Sequence, residues 1–277
     1  MKVLSVLVFS AYLIGIGTPA TAQVSHSERL SCEFSNYYFR VTDGVHRWEK
    51  FVAASGAATK VECGKKVAAV MIGPYLITFG NGTFNEKFVG SFSSQDCQLV
   101  VKANMVAASM GPYFLVARDG NAIQEKFIGS YSTTPLIKVA KNVAVSFFGY
   151  SFLASDGTQI LDHFVSSTSQ PLVVATKNIG AALVGPYLVG FSGGQIIEKF
   201  ISASRSSKDS LVAGKGLIGA SVTPYFLILD GHRNAIIETF LNSNEKVQMV
   251  NGIPVLDSPY SNPKSYNSAS GQFEEVR

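Results

Sequence analysis

The chain is 277 residues long, 47% apolar and only 15% charged, with a formal net charge of +4. So little charge and so much apolar side chain exclude a disordered chain, which needs the opposite balance. The charge is mild and comes in no basic block, which argues against nucleic-acid binding.

In chain order, Lys2 is the only charge before the apolar run Val3 to Ile16, and Ala20-Thr21-Ala22 follows as a small-x-small cleavage site. This is the pattern of a secretory signal peptide over residues 1–22, with Gln23 as the first mature residue. The apolar run is shorter than the about 20 residues a bilayer span needs, so no membrane span is expected after signal removal. Losing Lys2 takes the net charge from +4 to +3. A short N-terminal segment, 23–29, leads into the main domain. Arg29 stands too close to Cys32 for a lipid-attachment site. The expected destination is the periplasm or the extracellular space. There, three cysteines (Cys32, Cys63 and Cys97) allow one disulfide. Cys32–Cys63 is the preferred pair, because both fall in the first repeat unit. No Cys-x-x-Cys pair suggests zinc or thioredoxin-like chemistry.

From residue 30 the chain repeats itself. Tyr38, Tyr75, Tyr113, Tyr150, Tyr187 and Tyr225 recur about every 38 residues, four of them after Pro74, Pro112, Pro186 and Pro224. A turn signal follows each, as in Asn81-Gly82, Asp119-Gly120 and Asp230-Gly231. Then come an acid and, two residues on, a phenylalanine: Glu49/Phe51, Glu86/Phe88, Glu125/Phe127, Asp162/Phe164, Glu198/Phe200 and Glu238/Phe240. One unit reads as four short strands: Val106 to Met110, Tyr113 to Ala117, Ile123 to Ile128 and Leu136 to Ala140. The Asp-Gly step between the second and third is a hairpin turn, and no window shows sustained helical periodicity.

Six four-stranded units of this length resemble the β-propeller proteins as a superfamily, over residues 30–257. The resemblance implies an all-β, six-bladed β-propeller, and it implies architecture only. WD40 landmarks are missing, Trp48 is the only tryptophan, and the kelch double glycine with spaced aromatics is missing too. A β-solenoid or two stacked smaller β units are the other arrangements of such a repeat. In a propeller the recurring Tyr and Phe read as core between blades. The run Ile253 to Leu256 reads as a closing strand that joins the C-terminus to the first blade. Residues 258–277, rich in Ser, Asn, Pro and Gly, read as a disordered tail.

Two sequence patterns lose their usual meaning in this frame. Gly190 to Gly194 fits a nucleophile elbow and Gly214 to Gly219 a dinucleotide fingerprint. Both need a strand followed by a helix; here the first falls on a hairpin turn and the second on the link from one unit's fourth strand to the next unit's first strand. The histidines, His26, His46, His163 and His232, occupy different registers and suggest no metal pair. His163 stands where other units have Lys50, Lys87, Lys126 and Lys199.

Two repeated polar positions remain. The acids Glu49, Glu86, Glu125, Asp162, Glu198 and Glu238 read as structural acceptors of hydrogen bonds from a neighbouring blade. They would bind a cation or substrate only if they converged on one cavity. At the junctions between units lie Lys65, Lys66, Asn104, Lys141, Asn142, Lys177, Asn178, Lys215 and Asn251. The plain reading is ordinary turn residues. As candidate ligand-binding residues, Lys66, Asn104, Lys141, Asn142, Lys177, Asn178 and Lys215 form a basic, amide-rich ring on the face of the Asp-Gly turns. Such a ring suits an acidic glycan or protein surface. Repeated sites favour an exported non-catalytic binding module, lectin-like or protein-recognising, without cofactor or metal. The alternative is a hydrolase or lyase acting on an extracellular polymer at a central channel. It would use the deviations Asp162, His163 and His232-Arg233.

Overall fold

The computed structural model describes residues 29–54, 60–90, 97–129, 135–201, 209–259 and 261–276. Residues 1–28, with the expected signal peptide 1–22, lie outside them. The described strands form seven antiparallel sheets, one of three strands and six of four. Sheet 1 holds β1 (Ser31–Ser35), β2 (Tyr38–Thr42) and β3 (Arg47–Phe51). Sheet 2 holds β4 (Lys60–Cys63), β5 (Val67–Ile72), β6 (Tyr75–Gly80) and β7 (Thr83–Phe88). Sheet 3 holds β8 (Gln98–Lys102), β9 (Met105–Met110), β10 (Tyr113–Arg118) and β11 (Gln124–Phe127).

Sheet 4 holds β12 (Leu136–Val139), β13 (Ala144–Phe148), β14 (Ser151–Ser155) and β15 (Ile160–Phe164). Sheet 5 holds β16 (Leu172–Thr176), β17 (Ile179–Val184), β18 (Tyr187–Ser192) and β19 (Gln195–Phe200). Sheet 6 holds β20 (Ser210–Ala213), β21 (Leu217–Val222), β22 (Tyr225–Asp230) and β23 (Ala235–Phe240). Sheet 7 holds β24 (Lys246–Val250), β25 (Ile253–Ser258), β26 (Ser261–Asn267) and β27 (Gln272–Glu275).

Three expectations change. The sheets are phased one strand earlier than the repeat was read. Leu136–Val139 pairs with Ala144–Phe147 of the following unit, so it opens sheet 4 instead of ending sheet 3. The reason is that Tyr, Asp-Gly and acid-x-Phe all lie in the last two strands of a sheet, so they do not fix where it begins. The residues expected to be a disordered tail form β26 and β27, with Tyr266 paired to Phe273. And Ile253–Ser258 does not complete the first sheet; it pairs with β24 and β26. Seven sheets therefore stand where six blades were expected.

Two-residue hairpins set the register. Gly73-Pro74 joins Ile72 to its partner Tyr75, and Gly73 takes φ +51°, as a type II′ turn requires of its first central residue. Asn81 and Gly82 both have positive φ (50° and 77°), the type I′ signature that suits the twist of paired strands.

Why the middle strands read as unbroken apolar runs is now plain. In β9, Val106, Ala108 and Met110 pack toward sheet 2, whereas Met105 and Ala107 pack toward sheet 4. A strand buried on both faces has no polar side to alternate with. Six core clusters join each sheet to the next in sequence order, from sheets 1–2 to sheets 6–7. Among the described residues no cluster joins sheet 7 to sheet 1.

The terminal sheets show the strand alternation the middle ones lack. Phe39 and Val41 of β2 face sheet 2, while Arg40 on the other side reaches Glu33 and Glu49, each at 3.4 Å. The first strands of successive sheets lie against one another, with the Val101 N–H donating directly to the Glu62 carboxylate of the preceding sheet (2.9 Å). The outermost strands lie less closely against one another and are linked across by long side chains, as described below. The sheets thus fan outward from their first strands, as propeller blades do.

Cys32 in β1 and Cys63 in β4 form a disulfide with their Cα atoms 6.1 Å apart, tying sheet 1 to the first strand of sheet 2. Cys97 is buried between sheets 2 and 3. A disulfide in so small a protein points to an oxidising compartment and hints at export.

Candidate functional site

The acids lie on the outer strands, spaced around the rim, and do not meet in a cavity. Alternation along each strand puts the acid and the following cation on opposite faces. Each cation therefore reaches the acid of the next sheet: Lys50 to Glu86 (2.9 Å), Lys87 to Glu125 (2.9 Å), Lys126 to Asp162 (3.0 Å) and Lys199 to Glu238 (2.6 Å). His163 takes the lysine role and meets Glu198 at 2.7 Å. Glu49, which has no preceding sheet in the series, is held by Arg40 (3.4 Å) and Arg47 (3.9 Å) of its own sheet. Thr239 occupies the cation position of sheet 6, so the series stops there. Exposed pairs of this kind contribute about 0–1 kcal/mol each and serve more to set spacing than to stabilise.

The repeated phenylalanines differ from the core expected of them, whereas Tyr75, Tyr113, Tyr187 and Tyr225 do pack, half-buried, on the core between sheets. Phe51, Phe88, Phe127, Phe164, Phe200 and Phe240 are all 57–67% exposed. Each rests on its own sheet's tyrosine, with ring centroids 5.4–6.1 Å apart. The pair is a cross-strand neighbour, as in Tyr113↔Phe127. Each phenylalanine is the last residue of its strand, at the open edge of its sheet. Sheet 4 is offset by a residue: Tyr150 lies in the turn, and Ser151 pairs with Phe164.

The junction residues do gather on one face, in the hairpins between first and second strands. Their backbones are linked from sheet to sheet, Lys66 N–H to the Ala103 carbonyl (2.9 Å) and Asn142 N–H to the Lys177 carbonyl (2.8 Å). The Asp-Gly turns share this face, because Asn104 Nδ2 donates to the Asp119 carboxylate at 2.9 Å. The side chains divide by type. The asparagines bond to one another, Asn104 Nδ2 to Asn142 Oδ1 (3.3 Å) and Asn142 Nδ2 to Asn178 Oδ1 (2.7 Å). Lys66, Lys141, Lys177 and Lys215 are exposed, and no carboxylate among the described residues lies within ion-pair distance of them.

Two adjoining cavities open on this face at the C-terminal end of the series. One, about 480 Å³, lies between the turns of sheets 5 and 6 and is lined by Lys177, Asn178, Lys215 and His232 among others. The second, about 370 Å³, lies between sheets 6 and 7 and shares Lys215 and His232 with the first. Beside it, fully buried Asp230 accepts the amides of His232 (2.8 Å) and Arg233 (3.3 Å), the Tyr266 hydroxyl (2.9 Å) and the Ser268 hydroxyl. The polar composition of residues 258–277, which predicts a disordered tail, hides this anchor, since Tyr266 and Ser268 lie within it. Their strand–turn–strand pattern, Tyr266-Asn267 through Gly271 to Phe273, was the available signal.

Residues named for a catalytic alternative do not come together. Asp162 and His163 are in the rim series on β15, whereas His232 and Arg233 are in the turn between β22 and β23. Ser192, the centre of the elbow pattern, is buried and donates to Asn234 Oδ1 at 2.7 Å. Gly214 to Gly219 is the β20–β21 hairpin. Among the described residues no helix is long and apolar enough to cross a membrane, and no group of three His, Cys, Asp or Glu is placed to hold a metal.

No family model matches the chain, and no curated protein matches it. Solved structures do. The chain is similar to apo AztD from Citrobacter koseri at 10% identity and TM-score 0.38, over 90% of this chain and 82% of that one. It is similar to Hsv2p from Kluyveromyces lactis at 10% identity and TM-score 0.34, over 89% and 94%. PorZ of Porphyromonas gingivalis, described as an essential bacterial surface component of the type-IX secretion system, matches at 9% identity and TM-score 0.30, over 90% of this chain and 37% of that one. These structural neighbours are β-propeller proteins. Likeness at this level carries no argument about activity.

Proposed function

We propose that the protein is an exported, non-catalytic binding module, periplasmic or extracellular, that recognises an acidic glycan or protein surface through the face carrying the lysine and asparagine turns. One contrast carries the reading. The four rim lysines, Lys50, Lys87, Lys126 and Lys199, are each neutralised by a carboxylate 2.6–3.0 Å away. Lys66, Lys141, Lys177 and Lys215 share one face and meet no carboxylate among the described residues. Unpaired charge of one sign on one face gives a potential that attracts ligands of the other sign.

The test is a glycan array together with binding to acidic polymers at low and high salt. Charge reversal at Lys141 and Lys177 should abolish binding that Lys87→Glu leaves intact. Equal loss from both, or binding that ignores salt, would remove the turn face from the explanation.

A further inference from the structure

The series of turns changes its chemistry between sheets 5 and 6. In sheets 3, 4 and 5 the hairpin between the first two strands carries an asparagine, Asn104, Asn142 and Asn178, and each amide is hydrogen-bonded to the next. In sheet 6 that position is Gly216, at φ +75°. Asn178 Oδ1 accepts from Asn142, but its own Nδ2 finds no next rung. The space left between the two turns is the cavity of about 480 Å³.

A second departure fills part of that gap. The outer hairpin of sheet 6 spans four residues, Gly231 to Asn234, where sheet 5 has only Gly193-Gly194. Asp230 fixes this longer turn through the amides of His232 and Arg233. The turn brings the His232 ring over the neighbouring hairpin, where Nε2 would lie 3.8 Å from a Cβ placed on Gly216. Lys177, Lys215, the Asn178 amide and the His232 imidazole therefore line one concave space, with Ile179 beside them and no carboxylate in the lining.

We propose that this cleft binds the carboxylate-bearing sugar of an acidic glycan, a uronic acid residue, as a single selective site. The inference rests on the reading of the turn face given above and narrows it to one place. Two ammonium groups and an amide donor suit a carboxylate, which accepts several hydrogen bonds at once. The volume falls in the range of about 300–1,000 Å³ typical of small-ligand sites. A whole sugar ring uses that space and the apolar contact at Ile179. An acidic side chain of a protein would leave most of it empty.

The experiment is a calorimetric and NMR titration of the full mature chain with glucuronic acid and with glucose. Variants Lys215→Ser and Gly216→Asn are compared with Lys66→Ser, which lies on the same face outside the cleft. Asparagine tolerates positive φ better than other side chains do, so Gly216→Asn restores the missing rung and fills the cleft. The expected result is binding of glucuronic acid but not glucose, lost at least tenfold in Lys215→Ser and Gly216→Asn, weakened far less in Lys66→Ser and unchanged in the rim variant Lys87→Ser. Equal binding of glucose, or tighter binding of an acidic peptide at the same residues, overturns the proposal. Retained binding of acidic polymer that Lys66→Ser weakens as much as Lys215→Ser overturns the cleft and leaves the face-wide reading standing. No binding of any acidic glycan or protein to the wild type overturns both.

Discussion

Replacing Asp230 by alanine should release sheet 7 while leaving the rest of the array intact. The apolar interface between sheets 6 and 7 has four fully buried members, Leu217, Phe226, Ile228 and Tyr266, against nine to twelve at each of the others. Docking of the last sheet therefore leans on polar contacts, and Asp230 supplies them. Its carboxylate accepts from Tyr266 at 2.9 Å and from Ser268, both on sheet 7, as well as from two amides of its own turn. Hydrogen bonds to a charged group contribute roughly 1.5–3 kcal/mol each, and the orphaned tyrosine hydroxyl adds a desolvation cost. Relief from burying the carboxylate offsets part of this.

A net loss of about 3–4 kcal/mol at the interface remains, which at about 1.4 kcal/mol per decade raises local opening roughly 10²–10³-fold. Hydrogen exchange followed by mass spectrometry reads this directly. Peptides covering β26 and β27 should lose protection by that factor, while those covering β5–β6 and β17–β18 keep theirs. Asp230→Asn, which keeps an acceptor oxygen, should fall between. Unchanged exchange in β26 would refute the anchoring role. Simultaneous loss of protection in all sheets would show that sheet 7 does not open as its own unit.

Four other outcomes follow from the same geometry. The Tyr266 hydroxyl is held well above the usual tyrosine range, by burial first and by bonding to Asp230 second. A raised native pKa contributes stability that is complete below about pH 10 and fades as pH climbs toward the native value. Exchange of sheet 7 should therefore accelerate in alkali, and Tyr266→Phe should remove that dependence. Asp43 is lowered to about 2 by the backbone amides of His46 and Val45. Its turn should persist as pH falls through the ordinary carboxylate range and open only near pH 2, and NMR shifts of those amides that titrate near pH 4 would contradict this. Phe127→Ala at the exposed rim should change stability by less than about 1 kcal/mol, whereas Phe114→Ala in the core should cost about 3–5 kcal/mol in urea denaturation. Equal costs would restore the rim phenylalanines to the core. Finally, Cys32 and Cys63 are 31 positions apart, and reducing their disulfide should cost about 3–4 kcal/mol, measured as a drop in Tm under reductant.

The parts of this molecule that were legible in its sequence are those fixed by local chemistry. Asn81-Gly82 and Gly193-Gly194 specify hairpins because both residues accept positive φ, and they do so at each site. Repetition at about 38 residues exposed the sheet as the unit. What could not be read was where a sheet begins and which side its aromatics face. Leu136–Val139 carries no mark of which neighbour it joins, since a strand's partner depends on where the backbone turns. Phe127 has the sequence context of a core residue, two positions after an acid on an apolar strand, yet it sits at the rim where the sheets have diverged. The tail misled through composition. Ser261–Asn267 is polar because only one of its faces packs on another sheet, and Tyr266 is its single buried residue.

The candidate site is a different matter, because it arises where the repeat stops supplying its own partners. Along the series units satisfy one another: a cation meets an acid at the rim from sheet 1 to sheet 6, and amide meets amide at the turns of sheets 3 to 5. A group engaged in this way is unavailable to a ligand. In sheet 6 three substitutions break the pattern together. Thr239 ends the rim series, Gly216 ends the amide series, and the four-residue turn brings His232 and Arg233 to the junction. Any one of them alone would be drift within a degenerate repeat. Their joint effect is to leave Lys177, Asn178 and Lys215 facing one concave space, beside a sheet held by one buried carboxylate. A ligand bound there would touch the hairpin that Asp230 fixes, so occupancy of the cleft should also slow the exchange of sheet 7. Binding and docking of the last sheet are then two readings of one turn.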